Sequence, residues 1–127
     1  TADVSAAADS LGVDLDIRPL AAAARHTSEA GVVISTLPPR AADGLAAEIA
    51  ALKTATPGVL LDVAYDPWPS LAASVWQAGG GRVVPGLEML LYQAVEQVRL
   101  FTLRGDDVNA AVIDVMCDAV GLARRAL

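Results

Sequence analysis

Cysteine and histidine are almost absent: the 127 residues hold one of each, Cys117 and His26. A lone cysteine excludes an intramolecular disulfide framework and a thiolate zinc cluster, and no metal site is expected. Positive charge is also scarce, with 9 Lys+Arg against 15 Asp+Glu and a net charge of -6. That balance argues against non-specific binding to nucleic acid or to an anionic membrane. No apolar run approaches the ~18 residues that a membrane span requires, because charge, Gly or Pro interrupts each one. No basic, then apolar, then small-residue pattern opens the chain, so no secretory signal is visible and a cytoplasmic protein is expected. The chain begins at Thr1 rather than Met, the pattern of a processed or partial polypeptide. What is present is 54% apolar and only 19% charged residues, which excludes disorder and fits one globular domain.

The chain alternates short β-branched runs with alanine-rich helical stretches. Residues 2–11 read as a helix that Gly12 ends, since Gly accepts the left-handed conformation at a helix C-terminus. Residues 13–17 alternate apolar and acidic side chains, the pattern of a strand with one wet face. Pro19 suits the first turn of a helix over 20–25. Strands are expected at 31–36, 59–63 and 82–85, each a short apolar run that Gly or Pro bounds. Helices are expected at 41–54, 69–78 and 86–103. Asp106 and Asp107 would cap a last helix reaching 126, with Val108, Val112, Val115, Met116 and Ala119 as its apolar stripe. Arg124 and Arg125 would face its negative dipole end. Strand–helix alternation of this kind predicts an α/β fold: a doubly wound parallel sheet of about four strands, with two C-terminal helices.

In such sheets ligands bind beyond the C-terminal strand ends. The candidates are Ser35-Thr36-Leu37, Val63-Ala64-Tyr65 and Pro85-Gly86. Ser35 and Thr36 could equally just turn the chain, and Tyr65 could be a half-buried aromatic with a wet hydroxyl. On the helix from Gly86, residues Gly86, Leu90, Gln93 and Gln97 form one stripe with Met89 beside it. Two amides on an apolar stripe need hydrogen-bond partners if buried, unless both reach water. His26 reads as a cap or surface residue and Cys117 as a small hydrophobe. Gly79-Gly-Gly81 follows a helix and leads into a strand, the reverse of the order in a phosphate cradle. No G-x-G-x-x-G follows a strand. A phospho-acceptor receiver domain is excluded, because the only lysine, Lys53, sits in a helix rather than at a late strand end.

Asp62-Val-Ala-Tyr65-Asp-Pro67 and Gly86-Leu-Glu-Met89-Leu-Leu-Tyr-Gln93 together resemble the two late motifs of shikimate dehydrogenases, especially actinobacterial ones. Val33-Ile-Ser-Thr36-Leu-Pro38 is similar to that family's strand-end segment beside the cofactor. The resemblance runs over nearly the whole chain. It implies that residues 1–127 are the C-terminal part of an NADP-binding Rossmann domain, its sheet incomplete, in an enzyme that reduces 3-dehydroshikimate to shikimate. By resemblance Ser35, Thr36, Val63, Gly86 and Met89 lie on the cofactor side, and Tyr65 and Gln93 contact the substrate.

This sequence departs from the family in having no counterpart of the catalytic Lys and Asp, the glycine-rich loop, or the basic residues for the 2′-phosphate. No catalytic residue is therefore assigned, and the isolated chain is expected to be inactive, lacking a proton donor and a pyrophosphate site. Quinate as substrate and NAD as cofactor remain alternatives, as does a non-catalytic ligand-binding or interaction module. In the usual strand order, two strands absent here would separate 13–17 from 32–35. The early strand must then pair directly with the Val32 strand, cross to another molecule, or lie loose, and a homodimer is expected.

Overall fold

The computed structural model describes residues 2–55, 58–103 and 105–124. Helix α1 (Ala2–Leu11) stops at Gly12, whose φ of +66° is the left-handed stop that its sequence position predicts. A 3-10 turn (Leu20–Ala22) leads into α2 (Ala23–Glu29). Two crossovers follow: β1 (Val32–Ser35), α3 (Asp43–Leu52) and β2 (Val59–Asp62), then α4 (Leu71–Ala78) and β3 (Arg82–Pro85). Helix α5 (Gly86–Thr102) starts directly at the end of β3, and α6 (Ala110–Val120) follows a 3-10 turn. Among the described residues no helix is long and apolar enough to cross a membrane.

The sheet is parallel and ordered β1-β2-β3, with Val33, Leu60 and Val83 in register, and Ser35, Asp62 and Pro85 in register one pleat later. One face carries Val33, Ser35, Leu60 and Asp62 and lies under α3 and α4, which pack on each other. Trp76 of α4 is 2% exposed there, and its indole N–H donates to the Gly58 carbonyl at 3.1 Å. A separate core joins the last two helices: Leu91 and Val95 of α5 meet Val108, Ile113 and Cys117. Cys117 is fully buried, the small hydrophobe that its surroundings predict.

Three expectations need correction. Residues 13–17 form no strand; they are irregular and exposed throughout, so the sheet has three strands rather than four. Alternation creates a face, but a strand also needs a neighbour for its backbone groups, and β1 pairs only with β2 among the described residues. The last helix begins at Ala110, capped by Asn109, whose Oδ1 accepts from the N–H groups of Ala111 (3.0 Å) and Val112 (3.3 Å). Asp107 lies in the preceding 3-10 turn, and α6 ends at Gly121 with φ +72°. The buried stripe of α6 is Ile113 and Cys117, while Val112 and Val115 are exposed. Arg124 does serve the end of α6, but by pairing with Asp118; Arg125 lies outside the described residues.

Candidate functional site

Three strand ends meet at the C-terminal edge of the sheet. The ladder continues one residue past β2, where the Val63 N–H donates to the Ser35 carbonyl at 3.0 Å. From the other side Gly86, the first residue of α5, presses on Val63: a Cβ at 86 would lie 2.2 Å from the Val63 carbonyl oxygen. No side chain fits there, so only glycine lets the helix start so close to the strand. Ser35, Val63 and Gly86, three residues singled out in the sequence, are thus one contiguous unit.

Beyond it opens a cleft of about 400 Å³, lined by Thr36, Leu37, Pro38 and Pro39 from the β1 end and Val63, Ala64, Tyr65 and Asp66 from the β2 end. Tyr65 is exposed, presenting its ring at the mouth of this cleft. Ser35 differs from its neighbours, since its Oγ is buried with no hydrogen-bond partner among the described residues. It borders a second, mostly apolar cavity of about 270 Å³ under α2, α3 and α4, shared with Thr36, Leu60 and Trp76.

Met89 sits one turn into α5 and is half-buried. Gln93, a further turn along, is exposed and does not line the cleft of Tyr65. It borders a groove between α5 and α6 with Leu90, Gln97 and Met116. Gln93 and Gln97 are both exposed, so neither amide has the buried setting that would demand a partner. Among the described residues Tyr65 and Gln93 thus border two different hollows.

Asp62 went unassigned in the sequence although it opens a motif. Its carboxylate is 2% exposed and takes two donors, the Ala64 N–H at 3.2 Å and the Ser70 hydroxyl at 2.5 Å. Ser70 in turn caps α4 by accepting from the Ala73 N–H at 2.9 Å. The available signal was alternation, which puts Asp62 on the inward face with Leu60. Among the described residues no group of three His, Cys, Asp or Glu could hold a metal ion.

Comparisons with known proteins converge on one family. Residues 86–113 match the family model described as the shikimate 5′-dehydrogenase C-terminal domain. A curated relative from Leptospira interrogans, shikimate dehydrogenase (NADP(+)), is 44% identical over 43 residues, covering 34% of this chain and 15% of its own length. The protein of the same name from Staphylococcus aureus strain JH9 is 28% identical over 103 residues, covering 80% of this chain and 38% of its own. Among solved structures, the shikimate dehydrogenase of Mycobacterium tuberculosis is 46% identical with a TM-score of 0.53, covering 63% of this chain and 29% of that one. The shikimate 5-dehydrogenase of Mycobacterium fortuitum is 37% identical with a TM-score of 0.54, covering 76% and 35%. The chain thus spans well under half the length of these relatives. The match at the start of α5 and the likeness in fold to both mycobacterial structures make this chain similar to the C-terminal region of shikimate dehydrogenases.

Proposed function

We propose that the chain forms the nicotinamide-side wall of an NADP-dependent shikimate dehydrogenase, a cytoplasmic enzyme reducing 3-dehydroshikimate to shikimate. The observation that carries this reading is the Ser35–Val63–Gly86 junction beside the Tyr65 cleft, at the strand ends where α/β sheets bind ligands. The relatives' printed names supply the cofactor and the substrate class.

The residues fit one end of the cofactor. Gly86 opens a 17-residue helix whose N-terminus receives no side-chain cap from Pro85, a setting that favours a polar, electron-rich partner. Ser35, Thr36, Val63 and Gly86 would border the nicotinamide, and Met89 would pack on its face with a polarizable side chain. NADPH, when bound, supplies the hydride. Tyr65 would donate its phenolic hydrogen to a substrate oxygen, and the Gln93 amide would contact a second one from its place beside the α5–α6 groove. The residues do not fit the pyrophosphate, because no glycine-rich strand-to-helix turn occurs in the sequence. The sequence also has no counterpart of the catalytic Lys and Asp of the family it resembles, which would leave the product alkoxide without its usual proton donor. By itself it is therefore inactive and holds NADP poorly.

The test is a chimera in which this chain replaces the matching portion of the Mycobacterium tuberculosis enzyme. The 127-residue chain alone gives no shikimate-dependent NADPH formation, whereas the chimera does, and Tyr65→Phe lowers kcat/KM by about tenfold or more. A folded but inert chimera would instead favour the non-catalytic ligand-binding or interaction module. Activity on quinate, or with NAD in place of NADP, would redefine the specificity.

We also infer that the chain self-associates as a homodimer. The outer edge of β1 is unpaired among the described residues, and Val32 and Ile34 are more than half exposed on it. Unpaired edges with apolar side chains favour association.

A further inference from the structure

We propose that Asp62 is a positioning residue, whose buried carboxylate fixes the loop of residues 63–69 and thereby sets where Tyr65 stands in the cleft. The proposal rests on the substrate reading of Tyr65 for its functional consequence, but the positioning itself stands on geometry. Asp62 closes β2 on the face that α4 covers and is 2% exposed. A carboxylate withdrawn from water in this way must be compensated by donors.

Its two donors come from the two ends of one loop. Oδ1 accepts the Ala64 N–H two residues ahead, and Oδ2 accepts the Ser70 hydroxyl eight residues ahead. The second bond is the shorter of the two, at 2.5 Å against 3.2 Å. Ser70 also accepts the Ala73 N–H, so strand end, loop and helix start are one hydrogen-bonded unit. On the opposite side Gly86 abuts the backbone of Val63. The loop is therefore held at 63–64 and at 70, with Tyr65 between the two anchors. Tyr65 itself is 55% exposed and makes no side-chain hydrogen bond to the described residues. Its position is consequently inherited from the backbone that Asp62 anchors.

A side chain kept only to fill space at 62 could be replaced by an apolar one of similar volume, but a positioning carboxylate could not. The variants are Asp62→Leu and Ser70→Ala, with Asp62→Asn and Ser70→Thr as conservative rescues that keep an acceptor or a hydroxyl. In the 127-residue chain, amide exchange at Ala64 should accelerate about tenfold in the first pair, and the Tyr65 ring signals should shift. Exchange at Leu60 in the strand should change far less, and the rescue variants should stay close to the parent. If Asp62→Leu fails to fold, Ser70→Ala decides, since Ser70 lies at the loop end and only part-buried. Unchanged Ala64 and Tyr65 signals, or uniform acceleration at every amide, would overturn the proposal.

In the chimeric enzyme, Ser70→Ala should raise the KM for shikimate about tenfold with kcat and the KM for NADP nearly constant, and Ser70→Thr should restore it. A fall in kcat alone, with the KM for shikimate unmoved, would also overturn it. A chimera inert with Asp62 and Ser70 intact would sink the dehydrogenase reading instead, and the exchange measurements would then decide the role of Asp62.

Discussion

One methyl group has opposite consequences at two glycines of this chain. At Gly86 an added Cβ would meet the Val63 carbonyl oxygen at 2.2 Å, its carbon at 2.5 Å and its Cα at 2.8 Å. All three are backbone atoms that no rotamer change can move. Gly86→Ala must therefore push α5 away from β2, at a cost of about 2–3 kcal/mol. At Gly44, inside α3, nothing lies within 4 Å of the same methyl. Gly44→Ala removes unfolded-chain freedom and adds helix propensity, so it should stabilise by about 0.5–1 kcal/mol. Urea unfolding of both variants checks the pair; equal effects would contradict the close approach at Gly86. A surface position offers a third residue-level prediction. The Arg124 guanidinium hydrogen-bonds Asp118 and holds its carboxyl below the usual carboxylate range. Whatever stability this pair adds is present above the ordinary carboxylate pKa and is lost as pH falls through the lowered one. Arg124→Ala should return the Asp118 titration upward, which NMR would follow directly. Because both side chains are exposed, the melting temperature at neutral pH should barely move.

At the scale of elements, α6 depends on its first residue more than on its acidic neighbours. Asn109 satisfies two N–H groups that the helix cannot pair internally. Asn109→Ala should cost about 1 kcal/mol, whereas Asn109→Asp should be nearly neutral. The loss should be visible in the stability of the whole α5–α6 core, since α6 contributes both Ile113 and Cys117 to it. Denaturation followed by far-ultraviolet circular dichroism measures both variants. These elements also show what could be read in advance. The three paired strands were legible because Gly or Pro brackets each β-branched run, and the Ser35, Val63 and Gly86 junction followed from where those runs end. Residues 13–17 misled because periodicity records a side-chain pattern and says nothing about whether a partner strand exists. The α6 stripe misled for a related reason: several apolar sectors were available, and the choice depended on where Leu91 and Val95 stood in space. Gln93 was read by its stripe alone, whereas its exposure depends on how α5 and α6 splay around the groove. The Asp62 carboxylate was missed because its second donor, Ser70, is eight residues away and joined to it only by the fold.

At the scale of the whole molecule, surface area states how much of the fold lacks cover. A compact monomer of 13.0 kDa should expose about 6,300 Å², yet this chain exposes 8467 Å². The excess, about 2,000 Å², is of the size that permanent interfaces bury. Exposed apolar side chains contribute to it along the chain, among them two groups beside well-formed elements. One is the β1 edge, where Val32 and Ile34 are 64% and 61% exposed; the other is the end of α5, where Phe101 is 84% exposed. In the relatives, more than half of the polypeptide lies outside the matched part and is available to cover such surfaces. The isolated chain has only copies of itself. It should therefore sediment as a dimer at about 100 μM and dissociate on dilution, as mass action requires of a self-association equilibrium. Ile34→Lys places a charge on the open edge and should return a monomer without loss of fold, since Ile34 contributes little to the core. If the dimer survives that change but dissolves on Phe101→Glu, the contact lies at the end of α5 and the sheet-edge assignment is wrong. A parent chain that remains monomeric at this concentration would show that the exposed apolar surface does not drive self-association.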